Sequence, residues 1–406
     1  MIKKNIDLTF SLFLFLHLIV WTLIPFFSNG NLPLDVIEAL AWGSNLDWGF
    51  EKHPPLSAFF PEFFYQLFGS QDWAYYLLSQ IFVIFSFVVI FKLAKEFLKN
   101  EIHALISVFL LEGIYFYNFT TPEFNVNICQ IPFWTLAVYY FWQCLRNDKV
   151  QNWVLFGTFA ALGVLSKYLF IYLLIGIAMF FIFKLKKSKK FNYKYFIPVV
   201  VFLLVLTPHF IWLIDNDFKT VAYGLKRTSH EDGNFLNHLF NSLKFILKQI
   251  GILIPFFILL SLIISKFKFK FKLHDEKLIY LMSVTLAPIF LMLLTSLIFG
   301  VNVRTMWMTP FYLFFGLLFI YIFESKLNLN YLKRFMIMLL FIFTLSPATY
   351  LYVSLSKDNK RTDFPGKEIA RLVQIRWDKN FTNEIAIVVG DEWLGGNLSY
   401  HLQSRP

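Results

Sequence analysis

The chain has 406 residues, of which 57% are hydrophobic, 20% aromatic and only 16% charged. A soluble domain carries about 25% charged residues, so a single water-soluble globule is excluded, and the mean hydropathy of +0.58 agrees. The net charge of +11 does not point to nucleic acid, because the basic residues fall in short runs between apolar blocks.

Those blocks are roughly 18 to 22 residues long, enough to cross a bilayer as helices. In chain order the pattern predicts spans near 8–26, 72–93, 102–119, 128–145, 153–166, 168–184, 195–213, 245–265, 278–299, 306–323 and 335–354. The expected fold class is therefore an all-α polytopic membrane protein with about 11 (range 10–13) transmembrane helices. The first block is too long for the core of a signal peptide, and no small-residue cleavage site follows it, so it reads as an uncleaved helix.

Loops at 1–7, 92–101, 146–152, 184–194, 266–277 and 324–334 hold more than half of the 37 Lys and Arg, including KLKKSKK at 184–190 and KFKFKFK at 266–272. Basic loops stay in the cytoplasm. This places the N-terminus inside and, after an odd number of spans, the C-terminus outside. The basic runs are most simply orientation signals. Cys129 and Cys144 lie fifteen residues apart in one predicted helix, about 22 Å along its axis, which is too far for a disulfide.

Two parts are expected: a membrane domain over 1–355 and a polar tail outside the membrane over 356–406. Within the tail, Lys367 to Trp377 reads as an amphipathic helix and Asn383 to Asp391 as a buried strand, a small α/β unit. A lone strand and helix are not a stable domain, so the tail packs on the membrane domain or belongs to a domain cut short. No internal repeat is evident, and the inverted-repeat signature of many transporters is missing.

Outside the basic loops, the notable polar residues are Asp35, Glu38, Glu51, Lys52, His53, Glu123, Lys167, His209, Arg227, His230 and Arg304. Under this topology all of them fall at or near the outer face. Mixed charge gathered at one face suits an enzyme whose lipid substrate sits in the bilayer. A transporter more often places ionisable groups near the midplane. Glu112 is the main exception: it either lines an outer cavity or is satisfied by a helix neighbour.

The densest cluster is Leu34 to Leu56. Asp35, Glu38, Ala39 and Trp42 recur at i, i+3, i+4 and i+7, which sets both carboxylates on one helical face beside an indole. Such a helix can lie flat at the interface, and a carboxylate there can act as general base; the blander reading is a solvated loop helix. Glu51-Lys52-His53-Pro54-Pro55-Leu56 follows. The prolines fix the backbone, so Lys52 and His53 are held where they could bind phosphate, unless Lys52 merely pairs with a surface glutamate. Glu123 follows Pro122 in a second outer loop, as a functional acid or a helix-start acid. Lys167, before Tyr168 and between two apolar helices, either meets a lipid phosphate or snorkels to the interface. Arg304, near Trp307, either recognises phosphate or anchors the interface.

These residues together carry a resemblance. Asp35, Glu38-Ala39, Trp42-Gly43, Trp48-Gly49 and Lys52-His53-Pro54-Pro55-Leu56 resemble the dolichyl-phosphate-mannose protein mannosyltransferase-like superfamily, more narrowly its bacterial branch that includes the lipid A aminosugar transferases. The likeness continues through Thr121-Pro122-Glu123, Leu165-Ser166-Lys167-Tyr168, Arg304 to Trp307 and Asp363-Phe364-Pro365-Gly366. It reaches the tail at Val389 to Tyr400 (VGDEWLGGNLSY). The resemblance implies a GT-C fold and a polyprenyl-phosphate-linked sugar donor. It also implies an acidic catalytic residue in the first outer loop, which maps onto Asp35. The second-loop carboxylate is usually Asp in this family and is Glu123 here. Relatives often continue past the equivalent of Arg405-Pro406, which implies a shortened outer domain.

The expected function is inverting sugar transfer to a lipid A, glycan or protein acceptor at the periplasmic face of a bacterial inner membrane. Asp35 is the expected base. Lys52, His53, Lys167 and Arg304 are the expected donor-phosphate ligands, and Glu38, Glu123, Trp42 and Tyr168 the expected sugar or acceptor contacts. No cofactor is otherwise implied; Glu51 and His53 are candidate ligands for a divalent metal, too sparse a set to define a site. Membrane lipids are expected neighbours and nucleic acid is not. A lipid-linked sugar flippase or transporter is the alternative.

Overall fold

The computed structural model describes residues 5–188, 192–228, 235–267 and 274–406. His230 and parts of both long basic runs lie outside the described residues.

The chain is helical nearly throughout, and the expected apolar blocks all fall in helices, though not all as straight spans. Helix α1 (Ile6–Ser28) leads to a short helix α2 (Leu34–Gly43), a loop, and α3 (Leu56–Phe68). Then come α4 (Asp72–Phe97), α5 (Glu101–Phe109), α6 (Val126–Asn147), α7 (Val150–Ser166), α8 (Ile171–Ser188) and α9 (Ile197–Asp215). A second short helix, α10 (Lys219–Thr228), precedes α11 (Phe235–Ser261), α12 (Glu276–Phe299), α13 (Phe315–Phe323) and α14 (Leu332–Ser356). The tail holds α15 (Gly366–Asp378) and α16 (Leu394–His401). Polar side chains start several of these helices: Asn5, Asn100, Asn125 and Asp275 each accept from backbone N–H groups of the first turn, satisfying donors with no intrahelical partner.

Among the described residues, seven helices are long and apolar enough to cross a bilayer, or eight if the 49° bent pair Thr305–Tyr312 and Phe315–Lys326 is one span. The expected count of about 11 is not confirmed. The stretch 102–119 breaks after Phe109 into two tight 3₁₀ turns, Leu110–Gly113 and Tyr115–Tyr117. Gly113 sits against α11 there; a Cβ on it would lie 2.6 Å from the Phe256 Cα. Helix α6 carries Asn127, Gln130 and Gln143 buried in the protein, and α7 is only 17 residues long.

Glu112, the acid inside the apolar region, faces its neighbour. Its Oε1 lies 2.8 Å from Nδ1 of His17 on α1, both side chains being buried. It does not line the outer cavity.

The tail corrects one expectation. Helix α15 covers the predicted 367–377, but 383–391 forms no strand, and no named strand occurs among the described residues. The segment is irregular and has no ladder partner among the described residues: Ile385 is 5% exposed, while Ile387 and Val389 are 78% and 94% exposed. A strand needs a ladder partner for its backbone, and the tail supplies none. The unit packs instead through Ala370, Ile385 and Leu402, and α16 seats it on α2.

A candidate active site at one end of the bundle

Alternate connections of the bundle bring the first loop, the segment before α6, the α7–α8 junction, α10, the segment before α13 and the start of the tail to one end. They enclose a cavity of about 690 Å³.

Helix α2 is placed from both sides. Pro33 starts it without needing a donor, and Oε1 of Glu123, from a distant segment, accepts the backbone N–H of Asp35 at 3.2 Å. Glu123 thus caps the first turn of α2 from outside. Gly43 lets α2 settle on α3, since a Cβ there would sit 2.9 Å from Ala58 O and from Glu62 Cβ. The loop that follows is fixed by its backbone. Thr220 Oγ1 donates to Phe50 O at 2.5 Å, Nδ1 of His209 lies 2.6 Å from Trp48 O, and Trp212 Nε1 donates to Asp47 Oδ2 at 2.7 Å. A carbonyl only accepts, so His209 carries its proton on Nδ1 and its Nε2 accepts the Tyr168 hydroxyl at 2.7 Å.

The wall mixes charges at close quarters. Asp35, Glu38 and Glu123 supply the carboxylates, and Lys52, Lys167, Arg227, Arg304 and Arg361 the cations. Burial raises the Asp35 carboxyl, opposed by Lys167, Lys52, Arg227 and Arg361 in that order. Burial likewise lifts Glu38 to about 7 against its bond from Lys52. Glu123 is lifted to about 8, by burial first and by Asp35 second. The Lys52 ammonium donates to Glu38 Oε1 at 2.5 Å and to Glu392 Oε1, from the tail, at 2.8 Å; burial works to lower its pKa, but these bonds and the charges of the two carboxylates together raise it. Lys167 donates to Asn127 Oδ1 at 2.6 Å and lies 5.3 Å over the Trp307 ring. Burial brings Lys167 down to about 7, with Asp35 pulling the other way.

Most of the expected site residues meet here: Asp35, Glu38, Lys52, His53, Glu123, Lys167, Tyr168 and Arg304 all line the cavity. Three details differ from expectation. His53 is held down to about 3, by burial first and then by Lys167, Lys52 and Arg227, so it enters as a neutral ring rather than a cation. Trp42 is not in the wall; its indole stacks on Phe50 (5.4 Å, 8°) and meets the edge of His53 at 6.0 Å, bracing the loop. Glu51 is exposed and outside the wall, and the described residues hold no cluster of three or more His, Cys, Asp or Glu able to bind a metal.

Sequence reasoning missed Arg361, Asn127, Tyr223 and Glu392, and left Arg227 without a role. Glu392 lies inside the tail motif that carried the resemblance, whereas Arg361 stands two residues before the Asp363-Phe364-Pro365-Gly366 motif and outside it. Helix α10, which brings Thr220, Tyr223 and Arg227 to the wall, is too short and polar to register as a span.

The segment from Lys52 to Trp212 matches the model of the dolichyl-phosphate-mannose-protein mannosyltransferase family. Two crystal structures of ArnT from Cupriavidus metallidurans are similar over 97% of this chain. The one bound to undecaprenyl phosphate shares 14% identity, with a TM-score of 0.63 over 85% of its own chain. The apo form shares 13%, with a TM-score of 0.61 over 84%. The chain has the GT-C fold. The expected likeness to the mannosyltransferase-like superfamily holds in the family-model match, and the solved structures share the fold. A comparison with curated protein sequences finds no match. The GT-C segment matched by the family model carries Lys52, His53, Glu123, Lys167, Tyr168 and His209, whereas Asp35 and Glu38 precede it and Arg227, Arg304 and Arg361 follow it.

Proposed function

We propose that this GT-C protein transfers a sugar, with inversion, from a polyprenyl-phosphate donor to a lipid A or related glycan acceptor at the periplasmic face of a bacterial inner membrane. The observation that carries this reading is the meeting of Asp35, with Glu38 and Glu123 beside it, and five basic side chains in the wall of a single cavity. The ArnT structure bound to undecaprenyl phosphate supports a lipid-phosphate ligand for a cavity of this kind.

In this mechanism Asp35 takes the proton of the acceptor hydroxyl as its oxygen attacks the anomeric carbon. The bond from that carbon to the phosphate oxygen breaks on the opposite side, and polyprenyl phosphate leaves with the bonding pair. Burial raises the pKa of Asp35, which makes its ionised form a stronger base. Arg304, Arg361, Arg227 and Lys167 face the charge that grows on the leaving phosphate, and fixed charges in a secluded cavity act with little reorganisation. Glu123 holds the α2 backbone that carries Asp35, Glu38 holds Lys52, and Tyr168 is oriented by His209.

A flippase would need ionisable groups along a path through the bilayer. The acid within the apolar region, Glu112, is instead closed off against His17, which favours the transferase. The test is purified protein in proteoliposomes with radiolabelled polyprenyl-phosphate sugar and lipid A. Label on lipid A is expected. Label that changes leaflet while remaining on the polyprenyl carrier would overturn the reading in favour of transport.

A further inference from the structure

Lys52 is the only wall cation with two carboxylate partners among the described residues, and those partners differ in kind. Glu38 belongs to α2, which is packed on α3, and its side chain is 8% exposed; that of Glu392 is 38% exposed and sits in the loop before α16. Displaced from Lys52, Glu38 would be stranded as a buried acid, whereas Glu392 would turn into water. The backbone around Glu392 is fixed. Asp391 Oδ1 accepts from the N–H groups of Trp393 and Leu394 at 2.8 Å each. Asn397 on α16 is bonded to Asn31 at 2.7 Å, and Arg405 pairs with Glu62 on α3. Release of Lys52 therefore needs only a rotation of the Glu392 side chain.

We propose that Glu392 is a further positioning residue of the donor site, which competes with the donor's phosphate for Lys52 and so sets donor affinity. The inference rests on the reading of the cavity as a polyprenyl-phosphate site. A phosphate arriving at Lys52 meets the negative charge of both Glu38 and Glu392. Exchanging Glu392 for the phosphate leaves Lys52 with two anionic partners, Glu38 and the donor, and removes one repulsive charge.

The experiment titrates undecaprenyl phosphate into the full-length protein in nanodiscs, read by native mass spectrometry, and follows KM and kcat with the glycosylated donor. Glu392→Gln should bind undecaprenyl phosphate about three- to tenfold more tightly. The donor KM should fall in step at unchanged kcat, and the gain should shrink in high salt. In a Lys52→Gln background the same change should give no gain, because the contested ammonium is gone. Equal or weaker binding by Glu392→Gln, or a gain that persists without Lys52, would overturn the competition while leaving the site in place. Failure of the wild type to bind undecaprenyl phosphate would instead overturn the donor-site reading, and this inference with it.

Discussion

Oε1 of Glu123 accepts the backbone N–H of Asp35 at 3.2 Å, across 88 positions of sequence. The acid of the second outer segment is thereby the cap of the helix that carries the proposed base. With Glu123 lifted to about 8, its carboxyl is mostly protonated at neutral pH, so an amide is a close substitute. Glu123→Gln should hold transfer within about twofold of wild type, while Glu123→Ala, which loses a cap worth about 1 kcal/mol and the register of α2, should lower kcat by about tenfold. Steady-state kinetics on the two variants checks this; equal loss in both would mean that the charge of Glu123, not its acceptor oxygen, matters.

Lys167 gives the site a pH signature. Burial brings it down to about 7, so it is charged below that value and neutral above it. Donor affinity should therefore weaken as pH rises through about 7. Lys167→Arg, which stays protonated, should flatten that limb. The profile of kcat/KM against pH in the two proteins is the measurement, and an unchanged limb in Lys167→Arg would assign it to another group.

Arg361 brings the tail into the site. It lines the cavity and acts on both Asp35 and Glu123. Arg361→Gln should raise the donor KM about fivefold, an effect that salt diminishes, as expected for a partly exposed charged contact. A donor KM that stays at the wild-type value would remove Arg361 from the phosphate ligands.

Orientation can be read with single cysteines, because Cys129 and Cys144 are buried and should stay silent. Val389 and Asn330 are exposed and lie on opposite sides under the expected topology. An impermeant maleimide should label Val389→Cys in spheroplasts, and Asn330→Cys only after permeabilisation. The reverse pattern would invert the topology.

The sequence made legible what one segment or a long apolar run encodes. The helical character of each apolar block, the α2 face carrying Asp35 and Glu38, and the gathering of mixed charges at one end all follow from spacing and loop charge. Other features depended on contacts between distant segments. The break after Phe109 coincides with the Glu112–His17 bond and the close approach of Gly113 to α11, both contacts between distant segments. The missing strand at 383–391 is a matter of absent partners, which alternating Ile and Val cannot report. His53 loses its charge through burial beside Lys167 and Lys52, and Trp42 turns from the cavity to stack on Phe50. Arg361 and Glu392 become site residues only when the tail seats on α2.

The central claim is that Asp35 accepts the proton of the attacking hydroxyl. Its most direct test is single-turnover transfer by Asp35→Asn, with labelled polyprenyl-phosphate sugar prebound and lipid A added. The account predicts that this variant binds the donor at least as well as wild type, because one negative charge is gone, yet transfers it about 10²- to 10⁴-fold more slowly. Transfer at the wild-type rate would contradict it.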